Sequence, residues 1–391
     1  MHVKIHKLFE YLLETTSAEP PEAILGFSLS TPPKLGEFLA DLDPAFPLDW
    51  SNQSFQGLNA LREHVIDRAN LRGICSADDV LITAGTAEAN YLAIMQLVQP
   101  GDEIIVESPG WPQPFVLGEA IGATIKVLPR YEERGWRFDM GELERLISPK
   151  TKLIFLCNPN NPTGQVLNSA ELQQIANLAN RVGAYLLVDE VYAGLEWERE
   201  RLQTGRVPSI AGIYERGIST GSVSKALGLQ GLRTGWLICR DPKVVMDAVI
   251  LRENSSEIMN VMGELIAEIA MREDRYNAAI AKAHAEGLYN LNLLDQFIAS
   301  RPELDWQRPA AGLIGLCRLS LPIDGETLTR RLLKNPHRTF AIPGSAYHHP
   351  QHIRLGVGGG EAVQLEKGLA RLVALLDSKF WESDIKTMSK K

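Results

Sequence analysis

From about residue 80 to 240 the chain alternates short, fully apolar runs with longer stretches in which apolar positions recur every three to four residues. The short runs predict strands at Val80–Thr83, Glu103–Glu107, Thr124–Leu128, Lys152–Cys157, Tyr185–Asp189, Ile218–Ser222 and Gly235–Cys239. The longer stretches predict helices at Ala87–Val98, Pro112–Ile121, Ser169–Arg181 and Asp241–Leu251. Continuously apolar strands separated by helices imply an α/β fold: a mostly parallel central sheet flanked by helices on both faces. After about residue 250 the pattern changes. Long helices are expected at Glu257–Met271 and Tyr276–Ile298, then a strand at Gly312–Leu319, a helix at Thr327–Leu333, a strand at His352–Val357 and a helix at Gly360–Leu376. This second pattern predicts a smaller α+β unit. The expected organisation is a segment 1–45 that packs on the small unit or covers the site, a large domain 46–285, and a small domain 286–391.

A chain of 391 residues suits two or three compact units. The net charge of −8 gives no electrostatic reason to expect nucleic acid or an anionic membrane as a partner. Residues Met1 to Thr16 carry charges throughout and show no apolar stretch of the secretory type. Cys75, Cys157, Cys239 and Cys317 are scattered, form no CxxC pair and lack metal-ligand spacing, so buried free thiols and a reducing, cytoplasmic setting are expected. No metal site is expected. The basic tail Lys386–Lys391 is expected to fray.

Four stretches can carry chemistry. The first is Gly221-Ser222-Val223-Ser224-Lys225, followed by Gly228-Leu229-Gln230-Gly231-Leu232-Arg233. A lysine that ends a strand and opens a glycine-rich turn reads either as a solvated loop charge or, in an apolar cleft, as a nucleophilic amine whose proton affinity is lowered by desolvation. The second is Val188-Asp189-Glu190-Val191-Tyr192, where Asp189 ends an apolar strand at the carboxyl edge of the sheet. It reads as a helix cap or as a carboxylate that keeps a heterocyclic nitrogen protonated. The third, Asn158-Pro159-Asn160-Asn161-Pro162-Thr163-Gly164, is a rigid turn after a strand. The fourth, Thr83-Ala84-Gly85-Thr86-Ala87, offers backbone N–H groups at a helix start to a phosphate. Gly228 and Gly231 also follow a strand. They form no GxGxxG opening a βαβ unit, which argues against a dinucleotide-binding dehydrogenase.

In order and spacing these motifs resemble the class I/II aminotransferases, the fold-type I pyridoxal-5′-phosphate enzymes. Further matching stretches run from Gly57-Leu58-Asn59-Ala60-Leu61-Arg62 through Pro100-Gly101-Asp102-Glu103 to Ile353-Arg354-Leu355 and cover nearly the whole chain. The resemblance implies that Lys225 forms a Schiff base with the cofactor and then shuttles a proton, and that Asp189 pairs with the pyridine nitrogen. It also implies that Asn161 and Tyr192 hydrogen-bond the ring oxygen and that Trp111 stacks on the ring. Backbone amides of Thr86 and Ala87 and the side chains of Ser222 and Arg233 would bind the phosphate. Arg354 would take the substrate α-carboxylate, and Asn161 and Ser30 would also face the substrate. The implied partners are an amino acid, a 2-oxo acid and a second copy of the chain.

The sequence also departs from that pattern. Asn52 stands where many members carry a tyrosine that reaches the partner's cofactor phosphate. Ser30 takes the place of the glycine in a Gly-x-Pro segment, and Arg252-Glu253-Asn254-Ser255-Ser256 lacks a frequent Tyr-Thr. Asn52, Ser255 and Ser256 would then face the partner's cofactor. Residues Phe9 to Leu39 resemble a branch similar to capreomycidine synthase and enduracididine-forming enzymes, which eliminate or cyclise on arginine-derived substrates. Three functions follow as expectations: an aminotransferase first, a lyase or cyclase second, and a non-catalytic cofactor-binding protein third. His348 and His349, after the Pro343-Gly344-Ser345 turn, are expected on a surface loop.

Overall fold

The computed structural model describes residues 2–16, 20–49, 54–199, 202, 205–358 and 362–382. Asn52 and the basic tail lie outside the described residues. The central feature is an eight-stranded sheet in the order Val80–Thr83, Gly235–Cys239, Gly217–Ser222, Tyr185–Asp189, Thr151–Cys157, Glu103–Ser108, Thr124–Tyr131 and Arg137–Phe138. Gly235–Cys239 runs antiparallel to both of its neighbours, and Arg137–Phe138 is antiparallel to Thr124–Tyr131. The other pairings are parallel.

The inner strands are mostly apolar because both of their faces are covered. In Thr151–Cys157, the side chains of Leu153, Phe155 and Cys157 join one buried cluster, with helices Thr86–Leu97 and Pro242–Glu253. Ile154 and Leu156 join another on the opposite face, with helix Ser169–Asn180. That alternation is the period of two that a pleated strand imposes. The seven expected strands of this sheet all form, some of them one to three residues longer than expected. The four cysteines are buried and unpaired. Among the described residues no helix is long and apolar enough to cross a membrane.

The second sheet has four strands in the order Leu304–Trp306, Ile314–Leu319, His352–Gly356 and Ile342–Pro343, all antiparallel. Helices Gly325–Leu333 and Ala362–Asp377 cover it. Helix Glu273–Ala299 runs unbroken through residues 285–286. Its Ala279 packs on the large-sheet side, and its Leu291 and Leu294 pack on the small one.

The chain's beginning is built into the second unit. Ala23 and Ile24 pair in parallel with Thr339 and Phe340. Leu25 N donates to Phe340 O (2.7 Å), and Gly356 N donates to Leu25 O (2.7 Å). A Cβ at Gly356 would lie 1.7 Å from Phe27 O, so only glycine lets the first segment lie this close to the strand His352–Gly356. Helix Lys7–Thr16 sets Leu8 and Tyr11 against Phe340, Ile342 and Tyr347, and the Tyr11 hydroxyl donates to Ala341 O (2.9 Å).

Candidate active site

Five parallel strands end along one edge of the large sheet, and the residues that follow four of them line a cavity of about 380 Å³. This is the carboxyl edge, where open α/β sheets place ligands. Helix Lys7–Thr16, residues 26–29 and the strands of the second unit close the cavity from above. A cavity of this size suits a small molecule.

Lys225 follows the strand Gly217–Ser222, and its Nζ donates to Ser28 Oγ (3.3 Å) inside the cavity. Burial pulls its pKa down to about 8; Arg354 adds to the fall, Asp189 opposes it, and Arg233 contributes least. The amine is therefore available in its neutral, nucleophilic form near neutral pH. Asp189 ends the neighbouring strand. Burial pushes its pKa up to about 6, against a hydrogen bond from Asn90 Nδ2 to Oδ2 (3.0 Å) and one from Val191 N to Oδ1 (3.1 Å). Asn90 is itself held, because Thr220 Oγ1 donates to its Oδ1 (2.8 Å). A carboxylate held at this depth calls for a cationic partner.

The turn 158–164 divides its asparagines by task. Asn158 Oδ1 accepts from Leu167 N (2.8 Å) and its Nδ2 donates to Leu167 O (3.1 Å). Asn160 Oδ1 accepts from Thr163 N and Oγ1 (3.1 and 2.6 Å). These two build the turn. Asn161 instead faces the cavity, where its Oδ1 accepts from Arg354 Nη1 (3.3 Å). Arg354 also donates from Nη1 to the Tyr347 hydroxyl (2.8 Å) and from Nη2 to Gly26 O (2.9 Å). It is 5% exposed, and no carboxylate among the described residues pairs with it. Trp111, half-buried on the wall, donates from Nε1 to Gln113 Oε1 (3.2 Å), and Gln113 Nε2 donates to Ala87 O (2.8 Å).

At the other end, helix Thr86–Leu97 begins at the cavity with Thr86 and Ala87. Arg233 takes a left-handed backbone (φ 52°) and donates from Nη2 to Ala84 O (3.2 Å) and from Nη1 to Gln230 O (3.2 Å). A Cβ at Gly85 would come within 2.6 Å of Arg233 Nη2, so the guanidinium lies against the helix start because residue 85 is glycine, with φ +85°. Ser222 Oγ accepts from Ser224 N (3.3 Å) beside it.

The cavity thus sets three cations, Lys225, Arg233 and Arg354, against one anion, Asp189. Buried polar atoms of four lining residues have no protein partner: Thr86 Oγ1, Tyr192 OH, Gln230 Oε1 and Arg354 Nε. Buried polar groups are seldom left unpaired, so such a set marks a ligand site. A phosphate fits the helix start with Arg233 and Ser222. A ring nitrogen fits Asp189, and an aldehyde fits Lys225. The donor set therefore fits pyridoxal phosphate.

Of the residues expected here from sequence, Lys225, Asp189, Tyr192, Asn161, Trp111, Thr86, Ala87, Ser222, Arg233 and Arg354 all line this one cavity. Ser30 does not. Its N–H donates to Lys225 O (3.1 Å), and the segment passes beneath the lysine turn. Ser30 instead lies at a separate cavity of about 220 Å³, with Phe38 and Ala226, and its Oγ is buried. Ser256 Oγ donates to Glu88 Oε1 (3.4 Å), and Ser255 Oγ donates to Arg252 O (3.0 Å). His348 is exposed and His349 half-buried, and neither lines the main cavity. Ser28, Asn90 and Tyr347 were not singled out from sequence. Asn90 had a signal, a polar residue one turn after Thr86 on the buried face of an apolar helix.

Comparison with known proteins agrees with this geometry. The family model "Aminotransferase class I and II" matches residues 51–372. The chain is 29% identical to capreomycidine synthase of Streptomyces vinaceus over 294 residues, 75% of this chain and 73% of that protein. It superposes on a PLP-dependent aminotransferase from Streptococcus suis 89-1591 with a TM-score of 0.87 at 27% identity, covering 97% of this chain and 99% of that one. The PLP-dependent cyclase OrfR superposes with a TM-score of 0.83 at 27% identity, covering 97% and 98%. Together the motifs, the cavity and the match across most of its length show that the chain belongs to the class I and II aminotransferase family, which implies pyridoxal phosphate and amino-acid chemistry.

Proposed function

We propose that the protein is an aminotransferase that moves the amino group of an α-amino acid to a 2-oxo acid. The observation that carries this reading is the shared cavity: the amine of Lys225, the carboxylate of Asp189 and the buried, carboxylate-free guanidinium of Arg354 line one space. When bound, pyridoxal phosphate supplies a protonated ring that accepts the electron pair left when a bond to Cα breaks. Thr86, Ala87, Ser222 and Arg233 would hold its phosphate, Asp189 its ring nitrogen, Asn161 and Tyr192 its ring oxygen, and Trp111 its face. Arg354 binds the substrate carboxylate through its fork and so sets which Cα bond stands ready to break. Lys225, with its pKa lowered by burial, takes the Cα proton and returns it one atom further along. Leu8 and Leu12 line the covering side of the site, where their apolar side chains would limit access of water to a bound substrate.

The similarity to capreomycidine synthase and to the cyclase OrfR supports a second reading, elimination or cyclisation with the same floor residues. The two readings separate without mutation. A transaminase given an amino acid alone should release one equivalent of 2-oxo acid per site and stop, and should continue when 2-oxoglutarate is added. A lyase or cyclase should turn over repeatedly with no acceptor. Mass spectrometry of products from a panel including arginine and hydroxylated arginine tests both, and repeated turnover without acceptor would exclude transamination. Failure of every amino acid in a protein that binds the cofactor would revive the non-catalytic reading.

A homodimer is part of the proposal. Helix Pro242–Glu253 exposes Met246 and Ile250 one turn apart, and Met262 and Phe55 are also exposed, which supports a covered face. Light scattering of the purified protein should give twice the chain mass of 43.3 kDa.

A further inference from the structure

The end of the cavity at Arg354 differs in character from the rest. Ile342 lies directly opposite Arg354 in the antiparallel pair, and Phe27 follows Gly26, whose carbonyl accepts from Arg354. Leu8, Ile342 and Phe340 form one packed group, against which Leu12 and Trp111 rest. All of these residues line the cavity. The wall from the carboxylate-binding arginine to the aromatic beside the ring is therefore continuous and apolar.

Charge is as informative as shape. Among the described residues lining the cavity, the side chains with formal charge are Asp189, Lys225, Arg233 and Arg354. Each has a task under the proposed function: ring nitrogen, covalent attachment, phosphate and α-carboxylate. Within this chain's own described lining, a second carboxylate on the substrate would meet no further cation, and a guanidinium no further anion. An unpaired charge brought out of water into such a wall is strongly disfavoured, whereas an apolar group gains by the transfer.

We infer that the amino acid accepted by this enzyme carries a large, uncharged apolar side chain, branched aliphatic or aromatic, seated against Leu8, Leu12, Phe27, Phe340 and Ile342. The inference rests on the assignment of Arg354 as the carboxylate anchor. It departs from the arginine-derived substrates implied by the resemblance of residues 9–39 to the cyclising branch.

Carboxylates that lack the amino group cannot react, so they report binding alone. We would titrate 3-phenylpropanoate, 4-methylpentanoate, succinate and 5-guanidinopentanoate calorimetrically into the pyridoxal-phosphate-loaded enzyme. The first two should bind at least about tenfold tighter than the last two, the scale on which an apolar pocket separates ligands. Arg354→Gln should weaken all four. Leu12→Glu, and independently Phe27→Glu at a side chain already 43% exposed, should raise affinity for 5-guanidinopentanoate and lower it for 3-phenylpropanoate. Succinate or the guanidino acid binding as tightly as 3-phenylpropanoate, while Arg354→Gln still weakens binding, would overturn the substrate class and leave the site intact. Carboxylate binding indifferent to Arg354→Gln would overturn the site assignment itself.

Discussion

The floor and the roof of the cavity are made from different parts of the chain and different chemistry. The floor consists of strand ends at residues 83–86, 157–161, 189–192 and 222–225. It is polar, and polar atoms of Thr86 and Tyr192 have no protein partner. The roof consists of Leu8, Leu12, residues 26–29, Phe340, Ile342 and Arg354, and apart from Ser28 and Arg354 the side chains it presents are apolar. Under the proposed function the floor would hold a phosphate, a ring nitrogen and an aldehyde whatever the substrate, and the roof would meet the substrate's side chain. Substitutions in the floor should abolish turnover, and substitutions in the roof should shift affinity and preference.

The largest effect is expected at Lys225. Lys225→Ala should lower turnover at least about thousandfold, since a positioned acid–base group contributes on that order. Steady-state rates check this, and a loss of only a few fold would break the division between floor and roof. Asp189→Asn should come next: the side chain keeps its size but loses the charge that holds a ring proton. Cofactor affinity, followed by fluorescence titration, should change little, while turnover falls about a hundredfold. Arg354→Lys retains the charge but loses the fork. KM should rise about thirtyfold with a smaller change in kcat, as expected for a lost charge-assisted hydrogen bond.

The pH dependence gives a fourth check. The pKa of Lys225 is lowered to about 8, so the reactive neutral amine grows as pH rises through that value. The rate at which apoprotein captures pyridoxal phosphate covalently should increase about tenfold between pH 7 and 9 and then level off. A rise continuing to the ordinary lysine range would mean that burial does not act on this amine. The smallest effect is expected in the roof: Leu12→Ala should raise KM for apolar amino acids about fivefold and leave kcat unchanged, because it removes a partly buried contact.

Much of the floor was legible from sequence because strands buried on both faces, whether paired parallel or antiparallel, read as largely apolar runs. Val80–Thr83, Tyr185–Asp189 and Gly235–Cys239 form at the expected residues. The chemistry then follows each run at once, as Asp189 and Asn161 do. The roof was less legible. Helix Lys7–Thr16 owes its placement to Phe340, Ile342 and Tyr347, more than 300 residues away, which no local period reveals. The strands Ala23–Ile24, Thr339–Phe340 and Ile342–Pro343 have two residues each, too few to show an alternation. Ser30 illustrates the same limit. Its N–H donates to Lys225 O, a contact across 195 residues, and the residue lies at a separate cavity, outside the lining of the main one. Asn90 depended on knowing that a helix face would meet Asp189 and Thr220.

One amine, that of Lys225, carries the chemistry proposed for this cavity. Reduction of the loaded enzyme with borohydride, digestion and tandem mass spectrometry would locate the bound pyridoxyl group directly. The predicted result is a single label on the peptide Ala226 shares with Lys225, sited on the Lys225 side chain. A label on any other lysine, or none in a preparation that still turns over with pyridoxal phosphate, would contradict it.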